Sequence, residues 1–181
     1  GIRYCVENGL MSGIGNGLFA PQMTTTRAQM VQILYNLAGD PEVSGTTPFT
    51  DLTANWYQNA VLWAYQTGVA SGMSETTFAP DDPVTREQVT VFLAEFADRV
   101  LDKYTPYMWD ALFPFQDRES ISYYARTAMN WACDLGLIKG IPGPGGLRLE
   151  PQSYATREQM AVILAQFCRE LNVWNEPIPE L

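Results

Sequence analysis

The sequence predicts an all-α fold of three helix-loop-helix repeats around a pseudo-threefold axis, with no substantial sheet. Three observations carry this expectation. A tetrapeptide recurs as Thr26-Arg27-Ala28-Gln29, Thr85-Arg86-Glu87-Gln88 and Thr156-Arg157-Glu158-Gln159. Each copy is followed by apolar residues at helical spacing, Met30/Ile33/Leu34/Leu37, Val89/Phe92/Leu93/Phe96 and Met160/Ile163/Leu164/Phe167, the stripe of an amphipathic helix. Each is preceded by Gly-x-x-x-Gly, at Gly9/Gly13, Gly68/Gly72 and Gly136/Gly140, and then by Phe19-Ala20-Pro21, Phe78-Ala79-Pro80 or Leu149-Glu150-Pro151. Two-helix units of this length cannot bury an apolar stripe alone, so the three are expected to pack on one another.

Taken in order, repeat one covers 1–40, repeat two 49–101 and repeat three 115–171, forming one domain over 1–171 with a C-terminal tail at 172–181. Phe49-Thr50-Asp51 and Phe115-Gln116-Asp117 open the second and third copies. The first copy lacks this part because the chain opens in mid-pattern at Gly1; no signal peptide is read there, and a lost leader stays open. First helices are expected at Tyr57/Ala60/Val61/Ala64 and Ala125/Ala128/Met129/Ala132. They should end at Gly68 and Gly136, which suit a left-handed C′ residue and let another helix approach closely. Repeat three carries three more residues between Gly140 and its Pro than the others, in a Pro/Gly loop expected to hold at most a short extended piece. Asp102–Pro114 reads as a connector broken at Thr105-Pro106, and Pro177 and Pro179 mark the tail.

Composition removes several function classes. The chain has no histidine, the commonest general base and zinc ligand, and a formal net charge of −9, which disfavours a nucleic-acid partner. No apolar run approaches the ~20 residues of a membrane span. Cys5, Cys133 and Cys168 form no close-spaced metal motif and read as small buried hydrophobes, a disulfide being the alternative. No acidic pair repeats in a way that singles out a glycosidase, so the chain reads as non-catalytic, with no cofactor or metal.

Threonine followed three residues later by glutamine before an apolar run is a capping box, which makes Thr26, Thr85 and Thr156 N-caps. The arginines then fall at the first helical position, where the helix dipole disfavours a cation by about 0.3–1 kcal/mol. Two compensations are open. Free amides at the helix N-terminus and the guanidinium could together hold a carboxylate or phosphate, or the arginine could pair with Asp51, Asp117, Glu87 or Glu158. Aromatics recur too. Trp63 and Trp131, one turn before the glycines in a series with Tyr4, read as core. Trp56, and Tyr123 or Tyr124 at the corresponding place in repeat three, sit at helix starts, where they suit either core or the apolar face of a sugar ring.

The combined pattern of Phe-x-Asp, Trp/Tyr, Ala-Val-x-Trp-Ala, Gly-x-x-x-Gly, Phe-x-Pro and Thr-Arg-x-Gln resembles the S-layer homology (SLH) domain over about residues 1–171. The resemblance implies a three-pronged spindle with the second helices at its centre and ligand grooves between units. It implies a role as a non-catalytic surface-anchoring module on the bacterial cell surface, within a larger surface protein or enzyme, without membrane insertion. The implied ligand is secondary cell-wall polysaccharide, often with a pyruvylated N-acetylmannosamine end whose carboxylate suits Arg27, Arg86 or Arg157. Asp51 and Asp117 match the family's acidic position, where they hydrogen-bond sugar hydroxyls or hold an arginine. The groove around repeat two, with Arg86, Asp51 and Trp56, is the expected principal site, followed by Arg27, Arg157, Asp117 and Tyr124. A helical protein-binding or self-assembly module is the alternative function.

Overall fold

The computed structural model describes residues 1–105 and 110–173; Pro106 and the tail prolines expected to act as breakers lie outside these. Among the described residues six helices carry the fold: α1 (Ile2–Glu7), α2 (Arg27–Leu37), α3 (Gln58–Thr67), α4 (Arg86–Arg99), α5 (Arg126–Asp134) and α6 (Arg157–Glu170). The 3₁₀ turns Asn55–Tyr57 and Tyr123–Ala125 lead into α3 and α5. Thr26, Thr85 and Thr156 are the N-caps of α2, α4 and α6, and each closes a full capping box with the glutamine three residues on.

Units do not fold by pairing their own helices. α1 packs on α6, α3 on α2 and α5 on α4, so each unit lays its first helix against the second helix of the preceding unit, and α1 on α6 closes the circle. Just before the caps, the backbone forms a ring across all three units. The Thr25 amide donates to the Ala155 carbonyl at 2.9 Å, Ala155 to Val84 at 3.0 Å, and Val84 back to Thr25 at 2.9 Å. Beneath lies one continuous core, in which Trp63 packs near Tyr35 and Phe96, and Trp131 near Tyr104 and Phe167. Cys5 and Cys168 are buried there and Cys133 is half-buried, all three as free thiols.

The added residues of repeat three form a small antiparallel hairpin, β1 (Ile141–Gly143) and β2 (Gly146–Arg148), where an extended piece without a sheet was expected. The Pro144-Gly145 turn, with Gly145 and Gly146 at positive φ, lets three extra residues double back and pair.

The paired glycines have separate reasons. Gly68 ends α3 in the left-handed conformation, φ 78°. A Cβ there would meet only Arg99, at 3.8 Å, so backbone angle rather than close approach of a helix selects glycine. At Gly72 space decides. A Cβ would sit 2.5 Å from the Phe49 ring and still closer to the Ser74 carbonyl oxygen, and at Gly140 it would stand 2.5 Å from Phe115. The phenylalanine of Phe-x-Asp thus closes on the second glycine of its own unit.

Gly72→Ala is expected to destabilise the fold by ~1–3 kcal/mol through overpacking, more than Thr85→Ala, which removes one cap worth ~1 kcal/mol. Urea midpoints of the two variants check both the order and the sizes.

Candidate functional site

Arg27, Arg86 and Arg157 each begin a second helix and are 5–6% exposed. The amides around them are already used. The Arg27 amide donates to the Asp82 carbonyl, Arg86 to Ser153 and Arg157 to Met23, while the next amides, of Ala28, Glu87 and Glu158, donate to Pro80, Pro151 and Pro21. Each threonine cap takes the third amide. The free helix N-terminus expected to receive an anion is therefore filled by loop carbonyls of the following unit, and these acceptors offset the dipole that disfavours the arginine.

The guanidinium groups reach backbone oxygens too. Arg27 Nε donates to the Phe78 carbonyl at 2.8 Å and Nη2 to Ser71 at 2.9 Å; Arg157 makes the same pair with Phe19 and Ser12; Arg86 donates through Nε to Leu149 at 2.7 Å. The Arg27 guanidinium also lies over Phe78, and Arg157 over Phe19. No ion pair among the described residues involves any of the three. Burial draws all three guanidinium groups below their ordinary pKa, with Asp82 and Asp51 opposing at Arg27 and Glu150 and Asp117 at Arg86. They stay cationic at neutral pH.

The four carboxylates offered as partners are occupied elsewhere. Asp51 accepts from the amides of Phe78 and Ala79, and Asp117 from those of Leu149 and Glu150. Each holds the loop whose carbonyl receives an arginine Nε, so the aspartates act on the arginines through the backbone. Glu87 is buried and accepts from the Ser122 amide and the Tyr124 hydroxyl, each at 3.0 Å. Burial and then this carboxylate push Tyr124 up to about 12. Glu158 accepts from the Gln22 side chain.

Among the described residues a groove opens beside each Gly-x-x-x-Gly loop, the first two built from three units and the third from two. The first, about 330 Å³, lies between the Gly9–Ile14 loop and the Gln29/Gln32/Asn36 face of α2, with Arg157 from repeat three and Trp56 from repeat two. The second, about 450 Å³, lies between the Gly68–Met73 loop and α4, with Arg27 from repeat one and Tyr124 from repeat three. The third, about 380 Å³, lies between the Gly136–Ile141 loop and α6, with Arg86 from repeat two. In all three the loop and second helix come from one unit and the arginine from the unit before; an aromatic from the unit after joins the first two grooves but not the third.

This geometry separates the residues expected to share the principal site. Trp56 lines the first groove, Arg86 lines the third, and Asp51, bonded to the Phe78 and Ala79 amides, lines none of the three. Trp56 is 55% exposed, whereas Tyr123 is 96% exposed and lines none of the three grooves. Gln29, Gln88 and Gln159 each line the groove of their own unit. They were read only as caps, although their triplication beside the arginine is the same signal.

Three interlocked helical units with grooves between them define a repeat-built module whose concave surfaces form only where units meet. The chain belongs to the S-layer homology domain family, whose model matches residues 1–31, 48–90 and 114–161. It is 30% identical to a surface-layer 125 kDa protein of Lysinibacillus sphaericus over 91% of this chain and 13% of that protein. It is 29% identical to the exoglucanase XynX of Acetivibrio thermocellus over 90% of this chain and 14% of the enzyme. It is 26% identical to the S-layer protein sap of Bacillus anthracis over 91% and 19%. The chain thus spans less than a fifth of the length of these relatives. Family and surface-layer relatives place it at the bacterial cell surface, associated with the wall.

Asp51 and Asp117 give the fold a pH dependence of definite sign. Burial raises their pKa values, but the backbone amides they accept from outweigh it, aided by Arg27 at Asp51 and Arg148 at Asp117, so both lie below the ordinary value. A carboxyl depressed in the fold contributes stability above its unfolded pKa, about 3.9, and loses it as pH falls through the folded value. Asp51→Asn is expected to lower stability at pH 7 and to flatten the loss below about pH 4, measured by urea titration across pH.

Proposed function

We propose that the chain is a non-catalytic anchoring module that holds an acidic cell-wall polysaccharide in the grooves between its units. One observation carries the reading: on the floor of each groove stands an arginine bonded to neutral carbonyls and paired with no carboxylate. Its charge is held in place and left uncancelled, an arrangement suited to a carboxylate such as that of a pyruvylated sugar. Trp56 and Tyr124, on the first two grooves, offer ring faces to the apolar side of a saccharide. The first groove suits a carboxylate best, since Arg157 and Trp56 meet there beside Gln29, Gln32 and Asn36 and no acidic side chain lines it. Relatives as different as a surface-layer protein and an exoglucanase share this segment over a small part of their length, as expected of an anchor fused to varied cargo.

The alternative is a self-assembly module. It draws on the exposed Ile14, Leu18 and Met23 around the Gly13–Pro21 loop, an apolar group that could meet a second copy. Light scattering over a concentration series separates this reading, since assembly through the patch needs no glycan.

Purified protein is expected to pellet with wall sacculi, and to stay in the supernatant once the polysaccharide has been stripped chemically; equal pelleting in both cases defeats the proposal. Trp56→Ala should weaken pelleting by ~1–2 kcal/mol with unchanged thermal stability, because its ring is exposed. Arg157→Ala should lose both binding and ~1–3 kcal/mol of stability, because the part-buried carbonyls of Phe19 and Ser12 lose their donor.

A further inference from the structure

The third groove departs from the other two at one repeat position. Gly-x-x-x-Gly carries Ser12 and Ser71 in repeats one and two, and Lys139 in repeat three. The serine carbonyls receive Nη2 of Arg157 and of Arg27. Among the described residues Arg86 has no such bond to Lys139: its one side-chain hydrogen bond is from Nε to Leu149. Its side chain is nonetheless 95% buried and lines the groove, so both terminal nitrogens of a fixed guanidinium are left for a ligand. Lys139 lines the same groove, is exposed and forms no ion pair among the described residues; its stem folds over Gly136, whose added Cβ would lie 3.9 Å from Lys139 Cε. The acidic residue lining this groove, Glu158, is engaged by Gln22 at 3.0 Å.

We propose that this third groove is a phosphate site, taking a sugar that bears a phosphate monoester. Two cations approach from two elements, Arg86 from the start of α4 and Lys139 from the loop after α5. A planar carboxylate with a single charge satisfies the arginine fork and leaves the ammonium unmatched. A phosphate monoester carries close to two negative charges and three acceptor oxygens in tetrahedral array, enough for both Nη groups of Arg86 and for Lys139. In the second groove Arg99 is tied up in an ion pair with Glu95 at 3.1 Å and the first has Arg157 alone, whereas in the third no ion pair among the described residues joins Glu158 to Arg86 or Lys139, so both cations stay open to one anion. That the phosphate is carried on a wall sugar rests on the function proposed above; the location of the anion does not.

The test titrates wild-type protein and Lys139→Ser with mannose 6-phosphate, mannose, glucuronic acid and inorganic phosphate, following backbone amide shifts by NMR. Lys139→Ser restores the serine of the other two repeats and alters an exposed residue, so the fold is retained. Mannose 6-phosphate is expected to shift the amides of Lys139, Gly140 and Gln159, more tightly than any other probe, and Lys139→Ser should weaken it about tenfold while leaving glucuronic acid unchanged. Equal affinity in the two proteins, shifts confined to the other grooves, or inorganic phosphate binding as tightly as the sugar phosphate would each overturn the assignment. If wild type pellets with sacculi yet ignores mannose 6-phosphate, this inference alone falls; pelleting unaffected by stripping the glycan sinks the anchoring function instead.

Discussion

A closed circuit of backbone hydrogen bonds holds this molecule together at the threefold axis. Thr25, Val84 and Ala155 pass amide protons around the ring, and immediately beyond them the first amides of α2, α4 and α6 are capped by carbonyls of the next unit. Buried helix ends normally leave donors unsatisfied. Here each unit supplies what its neighbour lacks, so no unit is complete by itself. The same circularity appears in side-chain packing, where α1 rests on α6 although they lie at opposite ends of the described chain. Opening one junction therefore exposes donors in one unit and acceptors in another, which favours a cooperative fold over three separable hairpins.

The arginines are best understood as struts that also carry charge. Each ties the start of one second helix to the Phe-x-Pro or, for Arg86, the Leu149-Glu150-Pro151 stretch of the following unit, and an aspartate fixes that stretch in two of the three cases. A carboxylate placed directly against the guanidinium would have satisfied it equally well, but would have cancelled its field in the groove. Neutral carbonyl acceptors satisfy the donors and leave the charge. Structural and ligand-facing roles therefore coexist in one side chain, which explains why the residue sits at a helix position that local electrostatics disfavours.

Pseudo-symmetry also makes the differences legible. Position 28 is alanine where Glu87 and Glu158 follow it in the other repeats, and Glu87 serves as the latch that holds Ser122 and Tyr124 of repeat three on α4. Repeat three exchanges serine for Lys139 and adds a hairpin beside the same loop. Lys139 lines the third groove and Glu87 acts on the second through Tyr124, while the ring at the axis is left intact, so the grooves can diverge in chemistry while the scaffold stays common.

Much of this was readable in the residues. Capping boxes, helix stripes and glycine stops are interactions within a few positions along the chain, and three copies in register make each assignment support the others. That the arginines needed partners was legible as well, from their clash with the helix dipole. The partners were not. Arg86 and Trp56 belong to the same repeat yet serve different grooves, because one points back to the loop of the unit after it and the other reaches the unit before it. Local spacing carries no record of which neighbour a side chain will meet. That choice was made only when three incomplete units closed into a circle and the first amides of each second helix took their acceptors from another unit.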